Sequence, residues 1–93
     1  MILSFGNKET ERFYINGKSK RYPQTIIKTS LRKLDYINAA KDIKDLKIPP
    51  GNRLEVLRGN FKNMYSIRIN NQYRIIFSFH DSNATNVEIV DYH

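Results

Sequence analysis

No cysteine occurs anywhere in the chain, which excludes a disulfide framework and any thiolate metal site. Histidine is nearly as scarce. His80 and His93 are the two present, and neither usual zinc-ligand spacing can be built from them, so a zinc deaminase or structural zinc site has no support. No metal and no cofactor is expected. The four glycines are scattered, and neither a phosphate-cradling glycine loop nor a dinucleotide fingerprint is formed; a serine-centred nucleophile elbow is missing too. Long apolar runs are absent, and the Met1-Ile2-Leu3-Ser4-Phe5 start is too short for the apolar core of a signal peptide. The expected location is therefore the cytoplasm, with no membrane partner, and lack of cysteine fits such a reducing compartment.

What is present describes a small basic domain. Ninety-three residues suffice for one domain, 1–93, whose core can fill one helix layer on one sheet. The 40% hydrophobic and 27% charged fractions are those of a folded chain. The net charge of +7 attracts phosphate polyanions or an acidic partner, though it also serves simply to keep a small protein in solution. The charge is uneven: residues 1–47 hold eleven Lys/Arg against five Asp/Glu, and residues 48–93 hold five against four. A basic first half can steer the protein onto nucleic acid while more selective groups lie elsewhere.

The pattern predicts an α+β fold. Residues 2–5 can form a short strand. Asn7 can cap a first helix over Lys8–Ile15, with Glu9 in its first turn and Asn16-Gly17 as its end. A second helix is predicted from Pro23 to Ala40, where Ile27, Leu31 and Leu34 recur at helical spacing and Ile26, Ser30 and Ile37 widen the stripe. Lys28, Arg32, Lys33 and Lys41 fall to its flanks and solvent side. Pro49-Pro50-Gly51 stops regular structure after a segment of alternating charged and apolar residues. From Arg53 the period becomes two, which predicts strands Arg53–Leu57, Met64–Ile69, Tyr73–Phe79 and Asn86–Asp91. Asn70-Asn71-Gln72 and His80-Asp81-Ser82-Asn83 supply tight connections. Tyr65, Ile67 and Ile69 share one face of their strand, as do Tyr73, Ile75, Phe77 and Phe79 on the next; Ser66, Arg68 and Arg74 fall on the reverse. Helices covering such a meander account for most of the chain.

The terminal Asp91-Tyr92-His93 is the most informative cluster for chemistry. Asp91 and His93 are two apart and point the same way in an extended chain. Histidine can move a proton near neutrality, a neighbouring carboxylate can orient it, and Tyr92 can donate a hydrogen bond or stack on a base. The competing explanation is a frayed end of no consequence. Arg58 and Arg74 are candidate phosphate-binding groups, since guanidinium offers a planar fork of donors. Arg74 lies between Tyr73 and Ile75 in an apolar strand, where it needs solvent, a carboxylate or a ligand; an ordinary exposed arginine explains it equally well. Arg53, Lys62 and Arg68, with Tyr92, extend the candidate RNA-binding surface. Glu55 is a possible proton acceptor and equally a possible salt-bridge residue. His80, beside Asp81 at a turn, reads as a solvated loop residue.

The run Leu54-Glu55-Val56-Leu57-Arg58-Gly59-Asn60, followed by Tyr65-Ser66-Ile67, Asn71-Gln72-Tyr73-Arg74-Ile75 and Asp91-Tyr92-His93, resembles the HigB branch of the RelE-like toxins of bacterial type II toxin–antitoxin pairs. The ordered matches extend through most of residues 53–93, and the two helices ahead of them also fit. The resemblance implies a compact RelE-like fold, with two N-terminal helices on a mainly antiparallel curved sheet, and cleavage of mRNA on the ribosome that inhibits translation. It also implies neutralisation by a HigA-like helix-turn-helix antitoxin, with operator DNA engaged only through the antitoxin complex. On the same resemblance Asp91, Tyr92 and His93 match the family's terminal functional triplet and Arg74 its strand arginine, while Arg58 occupies the usual lysine position. Glu55 stands where the family often has a catalytic histidine. A glutamate can accept a proton from a ribose hydroxyl but does not readily donate one near neutrality. Tyr65 and Tyr73 replace family tryptophans.

The mechanism expected from these residues is metal-independent attack of a ribose 2′-hydroxyl on the adjacent phosphate. Glu55 or His93 helps to deprotonate the hydroxyl, a Glu55 base with a His93 acid being the simplest division; Arg58 and Arg74 stabilise the added charge, Asp91 orients His93 and Tyr92 positions RNA. The alternatives are a non-catalytic RNA- or ribosome-binding module, a structural partner of an acidic helix, and a degraded toxin that retains antitoxin binding.

Overall fold

The computed structural model describes residues 1–49, 51–59 and 63–91. Helix α1 spans Lys8–Asn16 and α2 spans Gln24–Ala39; strands β1 (Glu55–Val56), β2 (Met64–Arg68), β3 (Tyr73–His80) and β4 (Asn83–Asp91) follow. The strands form one antiparallel sheet in the order β1-β2-β3-β4. The α+β reading of the sequence is thus what the chain adopts.

Each helix boundary has a local cause. Asn7 is extended, and its side chain accepts a hydrogen bond from the Thr10 N–H at 2.9 Å, satisfying a donor that the first turn leaves open. Gly17 closes α1 in the left-handed region (φ 73°), its N–H donating to the Phe13 carbonyl. Pro23 precedes α2, and no side chain caps that helix. The buried stripe of α2 is Ile26, Ser30, Lys33, Leu34 and Ile37, turned from the one expected; Ile27 and Leu31 sit at the rim, packed against the core but only half-buried. Lys33, expected on the solvent side, is only 5% exposed. Asp42 and Asp45 then cap a 3₁₀ turn over Ile43–Leu46 reciprocally, which gives the charged segment an ordered form.

The core lies between the helices and one sheet face. Phe13, Ile26, Leu34 and Ile37 meet Ile67, Ile75, Phe77, Val87 and Ile89 there. Burial of each such side chain contributes roughly 1.5–3 kcal/mol. The register sets Tyr65 against Phe77 and Ile67 against Ile75, so the predicted apolar rows do face inward together. Thr10 ties α1 to β4: its Oγ1 accepts from the Ile89 N–H at 3.1 Å and lies 3.1 Å from the Tyr22 hydroxyl.

Two strands depart from expectation. β1 is confined to Glu55–Val56 because Arg53 is left-handed (φ 46°) and the buried Asn52 side chain donates to the Leu46 carbonyl at 3.1 Å, holding residues 51–54 as a loop. β4 begins at Asn83, ahead of the predicted Asn86, because Asp81 and Ser82 (φ 50° and 66°) make a two-residue hairpin turn. A bulge follows, with Asn86 at φ 54°, and this extra residue lets Ala84 and Val87, an odd number of positions apart, both reach the core. Residues 2–5 lie along the outer side of β4 as isolated parallel bridges, Ile2 to Ala84 and Phe5 to Val87, in place of a strand of their own. Among the described residues no helix is long and apolar enough to cross a membrane.

Candidate functional site

The sheet face turned away from the helices carries the candidate chemistry. Alternation along β1, β2 and β3 sends Glu55, Ser66, Arg68 and Arg74 to it. Arg74 is 7% exposed, an unusual degree of burial for a cation. Its Nε donates to Ser66 Oγ at 2.8 Å, its Nη2 donates to the Arg53 carbonyl at 2.7 Å, and the same nitrogen lies 3.9 Å from Glu55 Oε1. The two bonds offset the cost of bringing the guanidinium out of water; the carboxylate, with its side chain 53% exposed, is a looser electrostatic neighbour.

Arg68 is paired directly across from Arg74. Two like charges so placed repel, and the side chains separate: Arg68 Nη2 donates to Asn71 Oδ1 beyond the strand end, while Arg74 turns toward β1. Arg53 contributes its carbonyl to this arrangement, and its own side chain lies in an exposed residue. Arg58 is exposed just past β1.

Asp91 occupies a different position. It pairs with Tyr73 at the end of β4, while its neighbour Val90 pairs with Arg74, so alternation turns Asp91 to the face opposite the arginine. Its Oδ2 accepts from Gln72 Nε2 at 3.0 Å. Beside it, a hollow of about 330 Å³ between the start of α1 and the end of β4 is lined by Asn7, Arg21, Tyr22, Tyr73 and Asp91. Tyr92, His93 and Lys62 lie outside the described residues. His80 is solvated at the hairpin tip, 3.2 Å from Asp81 Oδ2, as its position in the sequence suggested.

Three residues that sequence reasoning passed over support the arginine. Ser66 is fully buried against it. Lys33 reaches from α2 to the end of β2, its Nζ donating to the Arg68 carbonyl and, at 3.4 Å, to that of Gly51. Burial first, then the nearby Arg32, Arg68 and Arg74 charges, hold its ammonium below the usual lysine range. Asn52 accepts from the Arg68 N–H at 2.6 Å through its carbonyl. The positions 26, 30, 33 and 37 at helical spacing carried a signal for Lys33; its charge masked it. Among the described residues no group of three or more His, Cys, Asp or Glu side chains converges in a way that could hold a metal ion.

Comparison with known proteins agrees with this architecture. A family model described as the RelE-like toxin of the type II toxin-antitoxin system HigB matches residues 3–93. The chain is 47% identical over 87 residues to Toxin HigB-1 of Vibrio cholerae serotype O1, covering 92% of each protein. It is 40% identical over 77 residues to an uncharacterized protein of Haemophilus influenzae, covering 82% of this chain and 76% of that one. Among solved structures it is similar to the toxin–antitoxin complex YoeB-YefM from Staphylococcus aureus (TM-score 0.62, 17% identity, 100% of this chain and 98% of that one). It is also similar to the YoeB dimer from the same organism (TM-score 0.59, 20% identity, 99% and 94%). The two helices on a four-stranded antiparallel sheet are the RelE-like fold, and by the family match and the Vibrio relative this chain belongs to the HigB toxins of type II toxin–antitoxin systems.

Proposed function

We propose that this toxin is a ribosome-dependent mRNA endoribonuclease that inhibits translation in the cytoplasm and is neutralised by a HigA-like helix-turn-helix antitoxin, operator DNA being bound only through that complex. The observation that carries the reading is the buried Arg74, oriented by Ser66 and the Arg53 carbonyl with the Glu55 carboxylate 3.9 Å from its guanidinium. A fixed cation beside a partly exposed carboxylate suits a reaction in which a hydroxyl loses its proton while charge builds on a neighbouring phosphate.

In the proposed reaction Glu55 takes the proton of a ribose 2′-hydroxyl, whose oxygen attacks the adjacent phosphorus. Arg74 and Arg58 stabilise the added negative charge. The bond to the departing 5′-oxygen breaks as His93 supplies its proton and Tyr92 positions the RNA, while Arg53, Lys62 and Arg68 hold its backbone. The part assigned to Asp91, orienting His93, is played from the strand end, on the face that alternation turns away from Arg74. The products are a 2′,3′-cyclic phosphate and a 5′-hydroxyl, and these groups complete the proton transfers without a metal ion. DNA lacks the nucleophile and is not cut. So few acid–base groups make the ribosome the device that aligns the substrate.

The test is primer-extension mapping of mRNA on ribosomes with the wild type, Arg74→Ala, Glu55→Ala and His93→Ala. Site-selective cleavage by the wild type that each variant loses supports the reading. Strong cleavage of free mRNA without any gain from ribosomes removes the ribosome from it. The glutamate at a position where the family often has histidine favours a second reading, a degraded toxin; that protein binds its antitoxin and leaves ribosome-bound mRNA intact.

A further inference from the structure

We propose that Ser66 is a positioning residue for the cleavage reaction, setting the plane of the Arg74 guanidinium; this rests on the RNA-cleaving reading above. Ser66 is fully buried in the middle of β2, paired with Glu55 on one side and Ile76 on the other. Its Oγ takes the Arg74 Nε proton at 2.8 Å, while the Arg53 carbonyl takes one from Nη2 at 2.7 Å. A planar group held at two of its nitrogens cannot rotate about its stem without breaking a buried hydrogen bond.

The chemistry of the two acceptors matters. Neither acceptor carries a formal charge, so these two bonds orient the cation without themselves cancelling its field, which Glu55, 3.9 Å from Nη2, moderates from the exposed side. A carboxylate at position 66 would hold the guanidinium as firmly and cancel its field. The second acceptor is presented by a residue in the left-handed region, Arg53 at φ 46°, a conformation that persists only where its surroundings enforce it. Here they do: Asn52 is bound to the Leu46 carbonyl and to the Arg68 N–H, and Lys33 is bound to the Gly51 and Arg68 carbonyls. The loop from Gly51 to Leu54 thus acts as a rigid jaw opposite Ser66, with the guanidinium between them.

The experiment pairs Ser66→Ala with Arg74→Lys in a double-mutant cycle, because a lysine keeps the charge but has no planar fork whose orientation Ser66 could set. Single-site cleavage on ribosome-bound mRNA is expected to show kcat lowered about tenfold by Ser66→Ala with KM changed less than about threefold, and less than about a twofold further loss in the Arg74→Lys background. The second readout is the Arg74 Nε–H resonance by nuclear magnetic resonance. In the wild type it is expected to be protected from exchange with water, and Ser66→Ala is expected to remove that protection while the thermal transition stays cooperative. Equal losses of kcat in both backgrounds, or an Arg74 resonance that Ser66→Ala leaves unchanged, would overturn the proposal. If the wild type cleaves nothing, the cleavage reading itself fails, while loss or persistence of the resonance still decides whether Ser66 holds the arginine.

Discussion

Glu55 and Arg74 stand on strands separated by β2, and their side chains meet across Ser66 with 3.9 Å between Oε1 and Nη2. The contact is an ion pair at the edge of its range, open on the Glu55 side to anything that approaches the sheet face. A phosphate arriving at Arg74 therefore brings its ester oxygens next to the carboxylate.

That geometry makes Glu55→Gln the sharper probe of the proposed base. The amide keeps the size and can still contact Arg74, but cannot take up a proton, and loss of a general base typically lowers kcat by about 10²–10⁴. Glu55→His, whose imidazole can accept a proton near neutrality, should retain cleavage well above the glutamine variant. Ribosome-bound mRNA cleaved equally by Glu55→Gln and the wild type would assign the proton to another group.

Alkaline stability should depend on Tyr14. Its hydroxyl donates to Asp35 Oδ1 at 2.9 Å, and burial, then that bond and the charge of Asp35, push its pKa up from 10.0 to about 12. The phenol thus holds its proton more tightly in the folded chain than in the unfolded one. Its contribution is complete below pH 10 and disappears as pH rises through about 12. Tyr22, raised mainly by burial, acts in the same sense; Lys33, held low, acts in the opposite one, its penalty easing as pH climbs toward 10.5. Tyr14→Phe should flatten the fall in urea midpoint between pH 10 and 12, at a cost below pH 10 of about 1 kcal/mol or less, since the hydroxyl is partly exposed.

The bulge in β4 should respond to backbone chemistry alone. Asn86 is exposed and left-handed, with φ 54°. A β-branched residue is strained there, so Asn86→Val should lower stability by about 1–2 kcal/mol. Asn86→Gly should be neutral or gain a few tenths of a kcal/mol. Chemical denaturation of the two variants checks this, and a valine variant as stable as the parent would mean that the bulge can move along the strand.

How much of this was legible from the residues differs by element. The limits of α1 were readable because Asn7 and Gly17 are strong local punctuation, and the β2–β3 hairpin because Tyr65, Ile67, Ile75 and Phe77 alternate cleanly. Position 53 misled: Arg-Leu-Glu-Val-Leu alternates like a strand, but the side chain of Asn52 competes for the backbone and makes a loop. Lys33 was assigned to solvent by its charge, although its spacing put it in the buried stripe and carbonyls at the sheet end supply its partners. Arg74 and Glu55 were both named as candidates, and the sheet brings them together. Ser66 was invisible as a functional group because a lone serine in a strand has no signature until the register shows what it faces. Asp91 was expected to act with the terminal histidine; its described contact is Gln72.

The pairing of residues 2–5 with β4 has a temporal meaning. Those residues precede their backbone partners, from Ala84 to Val87, by some eighty positions. Thr10 likewise waits for the N–H of Ile89. A growing chain can form α1, α2 and the earlier hairpin but cannot close its sheet until the last strand has been translated, and contacts of such long separation are slow to form. The sheet therefore closes late in folding, through the contacts of greatest sequence separation.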